Sequence, residues 1–88
     1  MILVEAIDNN SFKVSVTKDS TTEHIVLLSD RFHQDVTNNK LTKIELITHS
    51  FEFLLKRESN QSILKNFNIE VISQYFPEYI EEIKKIIL

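Results

Sequence analysis

Phe12-Lys13-Val14-Ser15-Val16-Thr17 alternates apolar and polar side chains without a break, and that period of two decides the fold class. Successive side chains of a strand point to opposite faces, so Phe12, Val14 and Val16 share one face and Lys13, Ser15 and Thr17 the other. Such a strand sets one face on a core and the other toward water. Before it, Asp8-Asn9-Asn10-Ser11 reads as a turn, because Asn tolerates the left-handed backbone that a tight hairpin needs. Ile2 to Ile7 reads as a first strand, apolar on both faces apart from Glu5. After it, Asp19-Ser20-Thr21-Thr22 reads as a second polar turn and Ile25 to Leu28 as a short third strand. Three strands in an antiparallel meander follow, with one face that needs covering.

The rest of the chain supplies the cover. Asp30 to Val36 can form two helical turns capped by Ser29 or Asp30, with Asn38 and Asn39 filling the C-cap role usually taken by glycine. Thr42 with Glu45 is a capping box and opens a long helix from about Leu41 to Arg57. Its apolar stripe is Ile44, Ile47, Phe51, Leu54 and Leu55, widened by Leu46 and Phe53, and Glu52 and Lys56 are spaced to pair on the outer surface. Ser62 to Phe67 reads as a short helix, and Asn68 can cap a turn or two through Ile69, Ile72 and Tyr75. Pro77 forces Phe76 out of the helical region and opens a final helix that buries Ile80, Ile83 and Ile87. The expected fold is α+β: a small N-terminal antiparallel meander of about three strands, packed by a long helix and a helical C-terminal segment, in a single domain 1–88.

Composition narrows the function classes. Average usage would supply about 6 glycines in a chain of this length, and there are none. Phosphate cradles, dinucleotide fingerprints and nucleophile elbows all use glycine where the backbone turns left-handed or approaches a ligand closely, so none is expected in its usual form. There is no cysteine, hence no disulfide framework and no thiolate zinc site. The formal net charge of −3 disfavours nucleic acid and anionic membranes as partners. No apolar run approaches the length of a membrane span. A soluble, cytoplasmic domain is expected.

Candidate chemistry is sparse. His24, His33 and His49 form neither HxH nor HxxxH spacing. Asp30, His33 and Asp35 could share a helix-sized patch, but an ordinary solvated face explains them as well. No catalytic residue, cofactor or metal is therefore expected. The aromatics carry more information: Phe51, Phe53, Phe67, Tyr75, Phe76 and Tyr79 fall close together in the C-terminal half. Most such stripes are core, while those at the stripe edges suit a partner surface. Phe53 and Tyr79 occupy those edges and are the aromatic candidates for an interaction surface. Ile86, Ile87 and Leu88 join them, as an apolar run expected to dock on the domain or on a second subunit.

Two resemblances bear on these residues. Ser50-Phe51-Glu52-Phe53-Leu54-Leu55-Lys56-Arg57-Glu58, Ser62-Ile63-Leu64, Phe67, and Val71-Ile72 through Tyr75-Phe76-Pro77-Glu78-Tyr79 resemble the core of a group of short bacterial proteins with the pattern SFEFLL-x-RE, SIL, YFPEY. The likeness spans roughly residues 44–80 and implies a stand-alone small protein with no activity to carry over. Ile25 to Ser29, Asp30-Arg31-Phe32, Thr42 to Ile47 and Phe51 to Glu58 resemble the strand, helix and helix of ribbon-helix-helix repressors, which implies dimerisation through the strand and DNA reading by its polar side chains. Here neither face of that strand offers Arg, Lys, Gln or Asn to read base edges. The expected function is a non-enzymatic interaction or regulatory module that binds a protein partner or a second copy of itself as a homodimer. A DNA-binding regulator of ribbon-helix-helix shape is the alternative.

Overall fold

Ile2–Ala6, Ser11–Thr17 and Thr21–Leu27 form β1, β2 and β3 of an antiparallel meander in the computed structural model, which describes all residues from Met1 to Leu88. Phe12, Val14 and Val16 of β2 all face inward and are buried, as their alternation predicts. Helix α1 (Asp30–Thr37) and helix α2 (Lys43–Leu55) follow, then a 3-10 turn at Asn60–Ser62, strand β4 (Asn66–Asn68), and helices α3 (Val71–Tyr75) and α4 (Tyr79–Ile86). Strand order is β1-β2-β3-β4, with β4 parallel to β3. The fold is α+β, and sixteen buried apolar residues from strands and helices form one core cluster. No helix is long and apolar enough to cross a membrane.

Local chemistry sets the helix boundaries. The Ser29 hydroxyl accepts from Phe32 N–H (3.1 Å) and starts α1. Asn38 closes it in the left-handed conformation at φ 51°, followed by Asn39 at φ 59°. At α2 the capping box is complete: Glu45 N–H donates to the Thr42 hydroxyl (3.1 Å) and Thr42 N–H to the Glu45 carboxylate (2.8 Å). The Thr42 N–H, helped by the Thr42 hydroxyl, holds the Glu45 carboxyl below the usual carboxylate range.

Several sequence expectations are corrected. The first hairpin turn uses no left-handed residue; Asp8 instead accepts from Asn10 N–H (2.9 Å) in a side-chain-closed turn. The third strand is longer than Ile25 to Leu28 because Thr21–His24 continue the pairing with β2. Ser62 to Phe67 is not a helix. Its end becomes β4, since β3 has a second edge to satisfy: Ile25 N–H donates to Lys65 O (2.7 Å) and Ile69 N–H to Leu27 O (2.9 Å). The buried face of α2 is rotated toward Ser50, which leaves Ile44 exposed. Glu52 pairs with His49 (2.9 Å) rather than Lys56. Helix α4 starts at Tyr79, two residues after Pro77, because a turn closed by Tyr79 N–H to Phe76 O (3.0 Å) comes first.

The left-handed C-cap of α1 gives a direct test. Replacing Asn38 by Gly should leave urea-unfolding stability unchanged or higher. Asn38→Val should lower it by about 1–2 kcal/mol, the cost of a left-handed residue with a branched Cβ.

Candidate functional site

Helix α2 ends at Leu55, and the chain turns back through Ser59 and Asn60 to reach the sheet. Buried Asn60 makes that return specific: its side-chain amide donates to Ser20 O (3.0 Å) in the β2–β3 turn and to the Thr22 hydroxyl (3.2 Å) on β3. Thr22 in turn lies 2.9 Å from His24 Nε2, and His24 Nδ1 lies 2.7 Å from Leu64 O. A carbonyl oxygen only accepts, so Nδ1 carries the hydrogen and Nε2 accepts from the Thr22 hydroxyl. The imidazole is fully buried and leans on Phe51, with ring centroids 5.4 Å apart. Burial therefore holds the His24 pKa below its ordinary value; the bond to Leu64 O opposes this, and the charge of Lys65 adds to it. Every hydrogen-bonding atom of the neutral ring has a partner, and no buried side-chain nitrogen or oxygen in the protein lacks one.

A second set of contacts fixes the chain after β4. Tyr79 is buried, with its hydroxyl on Ser50 Oγ, which itself donates to Leu46 O (2.7 Å). Tyr79 is thus the donor to Ser50, and burial pushes its pKa up to about 12. Phe53 packs edge-on against both Tyr79 (5.3 Å) and Phe76 (5.7 Å). The Arg57 guanidinium lies 3.6 Å from the Phe53 ring centroid and reaches the Glu78 carboxylate at 3.2 Å. Aromatic pairs of this geometry add about 0.5–1.5 kcal/mol each beyond their area burial.

Between these two anchorages lies a groove of about 350 Å³. Leu54 comes from the last turn of α2, Glu58 from just beyond it, Ile63 and Leu64 from the return segment, Phe67 from β4, and Val71, Ile72 and Tyr75 from α3. Eight of the ten lining residues are apolar, so its chemistry is that of an apolar slot with one carboxylate. Leu64 is 50% exposed and Tyr75 68% exposed. Ser62 bonds to Ser59 (3.1 Å), whereas the half-buried Glu58 carboxylate has no cation within 4 Å.

The residues expected to form an interaction surface do not converge on this groove. Phe53 and Tyr79 are corrected from surface candidates to core, because Ser50, Phe76 and Arg57 enclose them. Ile86 and Leu88 are exposed and Ile87 is half-buried; Ile86 borders a separate, mainly polar depression of about 280 Å³ beside His49, Glu52 and Lys56. The Asp30, His33 and Asp35 patch is dispersed onto other partners: Asp30 on Lys43, Asp35 on Arg31 and His33 on Leu41 O. The ribbon-helix-helix likeness is corrected at its strand. Ile25–Leu27 lie in an interior strand paired with both β2 and β4, leaving no edge for a second copy. All ten lining residues are among those that carry the SFEFLL-x-RE, SIL, YFPEY resemblance, but no local spacing in those blocks shows that they meet. Comparison with family models, with curated proteins and with solved structures finds no match.

The His24 assignment predicts a pH dependence. Unfolded, His24 titrates near its ordinary value of about 6.5; folded, it titrates lower. The unfolded state binds the proton first, so stability is flat above that value and falls as pH drops toward the folded one. Asp8, Asp30, Glu45 and Glu78, all held low, add their losses only at more acidic pH. The urea midpoint of the wild type should therefore drop between pH ~7.5 and ~5. His24→Gln should be less stable at both pH values and show a clearly shallower drop; parallel slopes would refute the assignment.

Proposed function

We propose that the protein is a non-enzymatic interaction module whose groove accepts an apolar segment of a protein partner carrying a basic residue beside its anchor. What supports this reading is one juxtaposition: an open apolar slot with exposed Leu64 and Tyr75 on its rim and an unpaired carboxylate, Glu58, in its wall. Concave apolar sites with a few polar groups are the usual form of binding sites. Apolar side chains of the partner fill the slot, a lysine or arginine beside them meets Glu58, and the net charge of −3 favours the approach of a basic segment. A regulatory role follows if the partner segment is occluded when bound.

Display selection of random peptides on the immobilised protein tests this. Selected peptides should share two or three apolar anchors flanked by Lys or Arg. Tyr75→Glu and Leu64→Glu, both at exposed positions, should weaken binding about tenfold or more, as loss of an interface anchor does. Glu58→Lys should remove the preference for the basic flank. Peptides that bind all three variants as well as the wild type would overturn the reading. Salt-sensitive binding of duplex DNA in place of any peptide would favour the DNA-binding alternative.

A further inference from the structure

The free edge of β1 points to a second interface, independent of the groove, and we infer that its occupant is another copy of this chain. In the order β1-β2-β3-β4, strand β1 has a ladder partner on one side only. Which of its backbone groups face outward can be read from the bonds at its two ends. Met1 and Thr17 exchange both bonds, Met1 N to Thr17 O at 2.7 Å and Thr17 N to Met1 O at 2.9 Å, and Ile7 N–H donates to Ser11 O at 2.8 Å. Bonded and non-bonded pairs alternate along an antiparallel ladder, so Leu3–Ser15 and Glu5–Lys13 are bonded pairs as well. The N–H and C=O groups of Ile2, Val4 and Ala6 therefore point away from β2, and no side chain bonds to them.

Exposed edges of this kind are normally blunted by proline, lysine, a bulge or a covering element. β1 has none of the first three: Ile2-Leu3-Val4-Glu5-Ala6 carries one charge, and its register with β2 is unbroken. Helix α2 packs beside β1, and none of its groups hydrogen-bonds to the backbone of Ile2, Val4 or Ala6. Apolar surface accompanies the edge on the sheet's outer side, where Leu3 is 55% exposed and Ile7, just beyond the strand, 57% exposed.

The outward groups are self-complementary under a twofold axis through Val4. Antiparallel pairing of two copies then sets Val4 opposite Val4 and Ile2 opposite Ala6 as bonded pairs, so all three outward residues of each copy are satisfied. Leu3 of one copy falls opposite Glu5 of the other. Sliding one way leaves Ile2 without a partner and sets Glu5 against Glu5, and like charges directly opposite are unfavourable. Sliding the other way leaves Ala6 without a partner. Only the Val4-centred register has neither fault, and it joins two four-stranded sheets into one continuous sheet.

A chain without cysteine makes the register directly testable. Bonded antiparallel pairs have Cα atoms about 5.5 Å apart, inside the range a disulfide spans. Under mild oxidation Val4→Cys should form a covalent dimer with itself. Leu3→Cys and Glu5→Cys should each form little covalent dimer alone and cross-link when mixed. Light scattering should give twice 10.4 kDa for the wild type. Leu3→Lys, which changes an exposed side chain and leaves the β2 ladder intact, should give a monomer with unchanged circular dichroism. A monomeric wild type overturns the inference, and so does a dimer in which Val4→Cys fails to cross-link or Leu3→Cys links to itself. Neither result bears on peptide binding in the groove.

Discussion

His24 donates its Nδ1 hydrogen to the carbonyl of Leu64, forty residues along the chain, and accepts from Thr22 on its own strand. The rest of the structure depends on that neutral, fully buried ring. Its bond to Leu64 lies one residue from Lys65, whose carbonyl accepts from Ile25 and opens the parallel β3–β4 ladder. Without it the Leu64 carbonyl would lose its donor and the buried Thr22 hydroxyl its acceptor, and a buried polar group left unsatisfied costs about 1–3 kcal/mol. Asn60 extends the same network to the β2–β3 turn. One chain of hydrogen bonds thus decides where the polypeptide re-enters the sheet after two helices.

The aromatic clamp completes what that network begins. Ser50 and Phe53 on α2, with Arg57 just past its end, meet Tyr79, Phe76 and Glu78 across the turn at Pro77. Phe76 is held extended at φ −130° and ψ 92°, as a residue before proline must be, which aims its ring back at Phe53. The residues of the SFEFLL-x-RE and YFPEY blocks are therefore largely each other's packing partners. The groove is the space left where these two fastenings do not quite meet, and so its walls belong to four different elements.

Much of the fold was legible in the sequence wherever the signal was local. The alternation of Phe12, Val14 and Val16, the Thr42–Glu45 capping box, and Asn38 standing where a glycine would serve all depend on neighbours within a few residues, and all are present. What escaped was long-range. β4 is three residues long and owes its conformation to the unpaired edge of β3, which no local pattern announces. Ser50 and His24 carry no local sign of burial, because their partners, Tyr79 and Leu64, are twenty-nine and forty residues away. For the same reason Tyr79 read as surface: a stripe edge looks exposed until a buried hydroxyl is found for it. The groove was the least legible feature, being a property of how four elements meet.

The state of one proton tests the account most directly. Two-bond nitrogen–carbon–proton correlations of the imidazole rings at neutral pH separate the two neutral tautomers. The account predicts that His24 is neutral with its hydrogen on Nδ1, and that this hydrogen exchanges slowly with solvent. A neutral ring with its hydrogen on Nε2, or an Nδ1 hydrogen that exchanges rapidly, would contradict the bond to Leu64, and with it the reason the chain returns to the sheet where it does.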